Sequence, residues 1–369
     1  MSATTVPVQS TRPAQAGAVR PRAAAAVAGY GELLRTVQAA GLLRRRRGWY
    51  AARFTAAGAG LAGVGVGVGV VGNSWWQLLL AAALAVVLTQ VAFLGHDTCH
   101  RQVFTSHAAN EWTSRVLSAL IGGLSYGWWM SKHTRHHAGP NQEGRDPDIA
   151  PGVVAFTPAV AATKRGVAAW AVRYQGWWFF PLLLAEGVNL HVASVRQVLD
   201  RHRPAPRHRW VDVAFLAVRL AGYPAVLFTV LPPGKAAGFL GVQLGLFGVL
   251  LGGAFAPNHT GMPIVAATAR VDFVHRQVVM SRNITGGWAV DFFMGGLNRQ
   301  IEHHLFPSMP RPHLRLAQPH VRDFCARHGI TYTETDLPSC YRQIVTYLNR
   351  VGLNARDPFT CPLLTRYHG

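Results

Sequence analysis

Charge is scarce in this sequence, and acidic side chains are scarcest of all. Only 14% of the residues are Asp, Glu, Lys or Arg, whereas 50% are hydrophobic. The 36 basic residues exceed the 16 acidic ones, which gives a formal net charge of +20. So apolar a composition is typical of membrane proteins rather than soluble enzymes. The basic excess fits loops beside anionic lipid, and no zinc finger, RNA-binding signature or basic helix with interleaved aromatics indicates nucleic acid.

Cysteine is also rare, and from the lack of an apolar run in the first residues of the chain we expect no cleavable signal. The four cysteines lack CxxC spacing, which excludes a small disulfide-rich secreted fold and favours a reduced, cytosol-facing protein. Residues 1–48 are rich in Ala, Pro and Arg without an apolar core, so we expect a basic, disordered cytosolic tail. Four arginines, Arg44 to Arg47, precede Trp49 and Tyr50, a pattern typical of the cytoplasmic end of a first membrane helix.

Long apolar stretches predict two transmembrane helical hairpins within one membrane domain, residues 49–369. The four stretches cover residues 54–72, 75–95, 211–231 and 236–256. A helix of about 20 residues, rising about 1.5 Å per residue, crosses the apolar core of a bilayer. Arg219 and the pair Tyr223–Pro224 interrupt the third stretch, where we expect a kink or a side chain that reaches the interface.

Two shorter apolar segments, 117–130 and 176–185, predict interfacial or partly re-entrant helices, because we consider them too short to cross. Residues 96–210 and 257–369 then form a helical cap on the cytoplasmic side of a cell membrane, with both chain termini on that side. The expected fold class is an all-α membrane protein with four spans, interfacial helices and a histidine-rich cap that holds two metal ions.

Histidines gather where these elements end: His96, His100, His133, His136, His137, His259, His303 and His304. Spacings of i, i+3 or i+4 place two rings on one helix face, and an adjacent pair can divide between two ions. Eight imidazoles suit two ions with open positions, although imidazole binds zinc, copper, iron and nickel alike. A lipid environment favours two irons that reduce O2, because no side chain can oxidise an unactivated methylene.

Carboxylates stand beside two of these clusters. Asp97 lies within the first cluster, where we expect it to accept a ring N–H and fix a histidine tautomer. Asp146 and Asp148 follow the second cluster closely. They are candidates for orienting the ligands, docking a partner protein or only turning the chain.

The stretches HDTCH, HTRHH and QIEHH, in this order, resemble the three histidine boxes of the membrane-bound fatty acid desaturase family. Flanking stretches such as HHAGPNQEGRDPDI and DFFMGGLNRQIEHHLFPSMPRPHL extend the resemblance over roughly residues 75–350. The resemblance implies a non-haem di-iron enzyme. Such an enzyme uses O2 and two electrons to insert a cis double bond into an acyl-CoA or acyl-lipid chain.

Carried over residue by residue, the resemblance implies that the seven box histidines and His259 bind iron. Asn258 would contribute through a bound water. Gln300 stands where another version of the third box has histidine, as in front-end and many bacterial desaturases, and its contact with metal stays open. No H-P-G-G motif of a fused cytochrome b5 domain occurs, so we expect a separate electron donor, a ferredoxin or an iron–sulfur flavoprotein reductase. A stand-alone chain slightly favours a Δ9 acyl-CoA enzyme over a front-end enzyme.

Two other functions stay open from the sequence. A lipid or carotenoid hydroxylase or ketolase would use the same site and add oxygen to its product. A metal transporter or sensor would need ionisable residues inside its spans, which are nearly free of charge. For a desaturase, we expect the acyl chain to enter an apolar tunnel, and Trp128, Trp129 and Trp288 are candidates for its walls.

Overall fold

A computed structural model describes residues 19–202 and 207–353 of the protein, and most of them are helical. The α-helices of these residues are α1 Val19–Ala39, α2 Arg47–Val71, α3 Gln77–Cys99, α4 His107–Arg115, α5 Tyr126–Ala138, α6 Pro158–Ala162, α7 Gly166–Arg173, α8 Gln175–Leu199, α9 Arg209–Ala217, α10 Tyr223–Val230, α11 Pro233–His259, α12 Phe273–Val279, α13 Trp288–Phe293, α14 Gln300–Leu305, α15 Arg311–His328 and α16 Leu337–Gly352. Two short strands, β1 Asn283–Thr285 and β2 Glu334–Asp336, pair in parallel.

Within the described residues, five helical stretches are long and apolar enough to cross a membrane. They are α2, α3, α8, the continuous stretch Arg209–Val230 that includes α9 and α10, and α11. All four stretches that the sequence predicted to span are helical, although their ends differ from the expected ones by up to several residues. The fifth stretch, α8, leaves the four-span arrangement unconfirmed. α11 packs along both α3 and α8, and these three helices form the centre of the bundle.

The helix α8 is longer than the sequence indicated. The apolar run ends at Ala185, because Glu186 follows it, yet the helix continues to Leu199. The added turns pack closely on α11, where a Cβ atom placed on Gly187 would lie 2.3 Å from the Leu244 carbonyl oxygen. Both ends of α8 also bond to other elements: Gln175 donates to the Leu348 carbonyl at 2.9 Å, and Ser194 Oγ accepts from the Ser125 backbone N–H at 2.7 Å.

The apolar hairpin of α2 and α3 depends on close contact through glycine. Cβ atoms built on Gly60 and Gly67 would lie 2.9 Å from a Val87 methyl and 3.0 Å from a Leu80 methyl. These two glycines are seven residues apart and therefore share one face of α2. Small residues on that face let two helix backbones approach closely, as in many membrane helix pairs.

The expected interruption of the third span is a π-helical turn, Val218–Gly222, between α9 and α10. Arg219 lies in this turn and is buried, donating from Nε to the Ile121 carbonyl at 2.7 Å. Its guanidinium carbon lies 4.0 Å from the centre of the Tyr223 ring. The arginine is therefore satisfied inside the bundle instead of extending to the interface. The shorter segment 117–130 is also broken, because a second π-helical turn, Val116–Ile121, ends before α5 begins.

The segment expected to be disordered contains a helix, α1, in its described part. Leu33 and Val37 of α1 are buried in one apolar cluster with Val321 and Phe324 of α15. Tyr30 donates a hydrogen bond to the Leu305 carbonyl at 3.1 Å. These α1 residues recur every three or four positions and form one apolar face, so tertiary packing orders a stretch whose composition indicated disorder. Residues 1–18 lie outside the described residues.

Candidate metal centre

Four helices bring the eight predicted histidines together. α3 contains His96 and is followed at once by His100, α5 carries the second cluster in its last two turns, α11 ends at His259, and α14 carries the third cluster. The C-terminal ends of α3 and α11 therefore meet at one end of the bundle. The clusters converge as predicted, but of the four helices only α3 and α11 are candidate membrane spans.

The ring nitrogens form two groups, and within each group the nitrogens offered by the residues lie within 4.8 Å of one another. Group one comprises His96, His100, His133, His137 and His303, and group two comprises His136, His259 and His304. The adjacent pairs His136–His137 and His303–His304 each divide between the groups. Neighbouring residues on a helix point about 100° apart, so two successive rings face two separate positions.

In group one, the Nε2 atoms crowd around His133. Its Nε2 lies 3.1 Å from that of His96, 2.7 Å from that of His100 and 3.1 Å from that of His137. Burial and the neighbouring imidazoles lower the pKa of His100, His133 and His137 well below the ordinary value. Neutral imidazole is the form that binds metal. Buried, neutral nitrogens that converge in this way fit a metal ion as their common partner.

In group two, the other nitrogen of every ring has a hydrogen-bond partner. Nδ1 of His136 lies 3.1 Å from both carboxylate oxygens of Asp146. Nδ1 of His259 donates to the Met280 carbonyl at 3.0 Å, and Nδ1 of His304 donates to Gln277 Oε1 at 2.7 Å. Such bonds fix the tautomer and leave Nε2 available as a ligand. Nε2 of His304 is buried without a hydrogen-bond partner among the described residues, as an atom facing a metal position would be.

Among the eight clustered histidines, His136 has two carboxylates, those of Asp146 and Asp148, beside one ring nitrogen. Asp148 Oδ2 lies 3.3 Å from His136 Nδ1, and Asp148 also pairs with Lys132. Burial alone would lower the pKa of His136, but the charges of Asp146 and Asp148 outweigh it and raise the pKa above its ordinary value. The backbone N–H of Asn141 donates to Asp146 at 2.7 Å and fixes that carboxylate. Both acids predicted near this cluster therefore contact one of its rings.

Asp97 has a different partner from the one expected. Its Oδ2 lies 2.6 Å from Arg311 Nη2, whereas its Oδ1 lies 3.7 Å from Nδ1 of His96, beyond hydrogen-bond distance. Arg311 begins α15, shortly after the third cluster, and its backbone N–H donates to the Tyr50 hydroxyl at 3.2 Å. Asp97 therefore joins the start of α15 to the end of α3, and it also keeps a longer approach to the His96 ring.

Two amide side chains stand beside group two. Gln300 Nε2 lies 3.0 Å from His259 Nε2, and Gln300 Oε1 is buried without a partner among the described residues. Asn258 donates from Nδ2 to the Ala254 carbonyl at 3.1 Å, and its Oδ1 is likewise buried and unpaired among those residues. Because Nδ1 of His259 carries the ring proton, its Nε2 accepts from the Gln300 amide; half a turn of that amide would instead direct its oxygen toward a cation bound at Nε2. An unpaired buried amide oxygen can bind a cation directly or accept a hydrogen bond from water bound to that cation.

The small parallel sheet fixes the third cluster in place. In β1, Asn283 accepts from the Ile301 backbone N–H at 3.0 Å and donates to Glu302 Oε2 at 2.7 Å. Tyr332 donates its hydroxyl proton to Glu302 Oε1 at 2.7 Å. Burial raises the pKa of Glu302 above its ordinary value. This buried acid directly precedes the two histidines of QIEHH and bonds to Asn283 and Tyr332, so it anchors α14.

The start of α5 is held by a buried acid on another helix. Asp212 of α9 accepts from Ser125 Oγ at 2.7 Å and from the Gly127 backbone N–H at 2.9 Å, and it pairs with Arg115. Ser125 is the N-cap of α5 and accepts from the Trp128 N–H at 3.2 Å. Asp212 thereby fixes the helix that carries three of the histidines.

The sequence did not indicate three of these supporting residues, Gln277, Arg311 and Asp212, because no local spacing links them to the clusters.

An apolar cavity of about 720 Å³ borders both histidine groups. It touches His96 and His133 of group one and His136 and His259 of group two. Its apolar wall includes Phe93, Leu124, Trp129, Leu183, Leu251 and Phe255, from α3, α5, α8, α11 and the segment before α5.

One of the three tryptophans predicted for the tunnel walls lines this cavity. Trp129 lies on the same face of α5 as His133 and His136, whereas Trp128 points away by about a quarter turn and does not line the cavity. Trp288 begins the short helix α13, is 74% exposed and stacks on Phe292. Trp128 and Trp288 are therefore not part of the wall.

Comparison with known proteins agrees with this geometry. The family model described as "Fatty acid desaturase" matches residues 73–336. An acyl-lipid (9-3)-desaturase of Physcomitrium patens is 31% identical over 287 residues, 76% of this chain and 54% of its own length. A Delta(6)-fatty-acid desaturase of Caenorhabditis elegans is 30% identical over 71% of this chain and 61% of its own length.

A Delta(8)-fatty-acid desaturase of Helianthus annuus is 25% identical over 78% of this chain and 65% of its own length. This chain therefore spans about half to two thirds of the length of these relatives. The family model, by contrast, covers well over half of this chain and includes all eight histidines. The chain belongs to the fatty acid desaturase family.

Proposed function

We propose that the protein is an O2-dependent desaturase that inserts a cis double bond into the acyl chain of an acyl-CoA or acyl-lipid. One observation carries this proposal: two histidine groups, each of buried and half-buried rings, border a single apolar cavity. The cavity offers apolar walls to a hydrocarbon chain, and the histidines offer two metal positions beside it. A soluble or strongly polar substrate would gain little from such a site.

Two irons are the proposed metal ions, held by groups one and two. When bound, they would supply the O2-dependent removal of two hydrogens from adjacent methylenes. The overall reaction converts –CH2–CH2– to –CH=CH– and consumes one O2, two electrons and two protons, with release of two water molecules. Gln300 and Asn258 are the proposed amide groups at the second metal position, directly or through water.

The work of the protein in this reaction is to position the chain and exclude water. Phe93, Trp129 and Phe255 offer flat apolar surfaces around a methylene pair. Asp146 and Gln277 hold His136 and His304 in one tautomer, so neither ring has to reorient during turnover. Removal of hydrogen from an unactivated carbon needs no acid or base from the chain, and none is assigned.

The proposed membrane arrangement has four spans, α2, α3, the α9–α10 stretch and α11, with the histidines on the cytoplasmic side of the cell membrane. In this arrangement α8 lies along the interface, because both of its ends bond to residues of the cap. Its exposed apolar residues include Trp177, Leu184, Val188 and Val192, which are spaced by seven or four positions and form a face toward lipid. A separate ferredoxin or iron–sulfur flavoprotein reductase is the proposed electron donor.

The position of the double bond is proposed to be front-end, as in the relatives named for Delta(6) and Delta(8). The slight preference of the sequence for Δ9 receives no support from the relatives. Dimethyl disulfide adducts of the product, measured by mass spectrometry, give the position directly. A Δ9 adduct would contradict the front-end assignment and leave desaturation itself intact.

The test of the activity is expression of the full chain in a host with a defined fatty acid profile. New unsaturated acids are expected with the wild-type chain and none with His136→Ala. His107→Ala is the matched control, because His107 is exposed and belongs to neither histidine group. The control is expected to give wild-type product.

Two results would contradict the proposal. Unchanged product from His136→Ala would refute the ligand assignment. Incorporation of 18O from 18O2 into the fatty acid, without a new double bond, would assign the site to a hydroxylase or ketolase instead.

A further inference from the structure

A second cavity, which shares only Gly261 and Tyr347 with the wall of the apolar cavity, lies against one face of α16. Its volume is about 680 Å³, and it is open to the surface. Three arginines line it, Arg282, Arg342 and Arg350, and no carboxylate of the described residues does. We call this cavity the arginine groove. A groove with three positive charges and no acid among its described residues selects for an anion.

The face of α16 that lines the groove is polar along its whole length. Arg342, Gln343, Thr346 and Arg350 recur at helical spacing and are exposed. Neither the Arg342 nor the Arg350 guanidinium forms an ion pair or a side-chain hydrogen bond with a described residue. Asp336, at the start of α16, feels the charge of Arg342 without forming an ion pair with it. Both planar donor groups are therefore available to a ligand.

At the base of the groove, Arg282 is a buried cation whose hydrogen-bond partners are all neutral. It is 2% exposed and donates to the Pro257 carbonyl at 2.5 Å, to Gln343 Oε1 at 2.8 Å and to the Thr260 carbonyl. The carbonyls of Pro257 and Thr260 end α11, and a basic residue at a helix C-terminus is stabilising. That role uses the N–H donors of Arg282 but does not neutralise its charge. A buried charge of this kind favours an anion nearby.

The arginine groove and the apolar cavity share part of their walls. Gly261 and Tyr347 line both. Gly261 has a φ of +84°, and a Cβ atom on it would lie 3.6 Å from Tyr347 Cβ. The hydroxyl of Tyr347 donates to the Phe156 carbonyl at 2.5 Å, on the cavity side. One molecule with an anionic head and an apolar chain could therefore contact both spaces past these two residues.

We propose that the arginine groove binds the phosphate of the acyl carrier while the acyl chain occupies the apolar cavity. The proposal rests on the proposed function, because it names the head of that substrate. Guanidinium groups bind phosphate oxygens through paired, charge-assisted hydrogen bonds, and Thr346 adds a hydroxyl donor in the same groove. Phosphate occurs in both coenzyme A and phospholipids, so the chemistry of the groove is common to the two carriers.

The experiment measures binding of carrier heads to the purified full chain in detergent micelles. The probes are coenzyme A and dihexanoylphosphatidylcholine, and the phosphate-free comparators are pantetheine and dihexanoylglycerol. The double variant Arg342→Gln/Arg350→Gln is expected to bind at least one phosphate probe about tenfold more weakly than wild type. The comparators are expected to bind equally to both proteins. Loss for coenzyme A alone identifies an acyl-CoA carrier, and loss for the phospholipid alone identifies an acyl-lipid.

The matched control is Arg35→Gln/Arg315→Gln, which removes two exposed arginines of α1 and α15 that do not line the groove. It is expected to leave both phosphate probes within about twofold of wild type. Equal affinities in the groove variant and this control would overturn the proposal. A groove variant that changes only the KM for the electron donor would also overturn it and assign the groove to a protein partner. The binding measurement needs no turnover. Its result therefore tests the arginine groove even if the protein shows no desaturase activity.

Discussion

Asp146 meets Nδ1 of His136 with both carboxylate oxygens at 3.1 Å, while its neighbour two residues on, Asp148, divides its charge between His136 and Lys132. The side chain of Asp146 is fully buried, whereas that of Asp148 is 41% exposed. The two acids therefore differ in how strictly they hold the ring. Asp146 is the orienting group, and Asp148 supports the charge balance at the edge of the site.

This difference predicts unequal effects of two matching substitutions. Asp146→Asn removes the charge behind His136 and is expected to weaken metal binding by about 10- to 100-fold, the usual cost of losing such a partner. Asp148→Asn, at a more exposed position, is expected to cost less than about threefold. Iron retained during titration with a chelator measures both. Equal losses in the two variants would contradict the distinct role of Asp146.

Gln277 predicts a second effect on the same metal position. Its Oε1 accepts from His304 Nδ1 at 2.7 Å, and its Nε2 donates to the His137 carbonyl at 2.9 Å, so it touches a residue of each group. Gln277→Leu is expected to weaken retention of one of the two irons by about tenfold. Gln277→Glu retains an acceptor for His304 and is expected to preserve more of the iron. Iron per protein, measured by mass spectrometry, distinguishes them. A Leu variant that retains both irons would show that the bond is dispensable.

Asp212 predicts a change in stability that reaches the metal site. It is fully buried, pairs with Arg115 and bonds the start of α5. Asp212→Asn leaves the Arg115 charge without this partner, so the free energy of unfolding is expected to fall by about 3–5 kcal/mol. Glu111→Gln, which removes the less buried partner of Arg115, is expected to cost about 1 kcal/mol or less. Thermal unfolding in detergent gives the comparison, and similar melting temperatures for both variants would refute the argument.

Much of the histidine site was predictable from spacing. His133, His136 and His137 share a helix with rings that point to two positions, and that division follows from helix geometry alone. The apolar runs likewise indicated α2, α3 and α11, because a bilayer selects for length and composition that can be read locally. Even Arg219 marked the place where the third span is interrupted.

Features that depend on contacts between distant segments were not predictable. α8 continues past Glu186 because its polar residues face partners on other elements, as His191 does with the Gly122 carbonyl at 3.1 Å. α1 is ordered by packing against α15, which lies almost 300 residues away in sequence. Asp97 pairs with Arg311 in addition to approaching His96 at 3.7 Å, because α15 brings a charged partner to it. In each case a long-range contact outweighs the local signal.

The wall of the apolar cavity predicts a change in chain-length preference. Ala92 of α3 lines the cavity, next to Phe93 and one turn before His96. Ala92→Phe fills part of a space of about 720 Å³ and should exclude the longest chains that enter it. Each methylene that loses its place costs about 1–3 kcal/mol, so shorter acyl chains are expected to gain at least about tenfold in relative kcat/KM.

The matched control for this prediction is Ala83→Phe, because Ala83 lies on an exposed face of the same helix. Competition assays with acyl chains of two lengths measure the ratio. An unchanged ratio in Ala92→Phe, or an equal change in Ala83→Phe, would mean that this cavity does not hold the acyl chain.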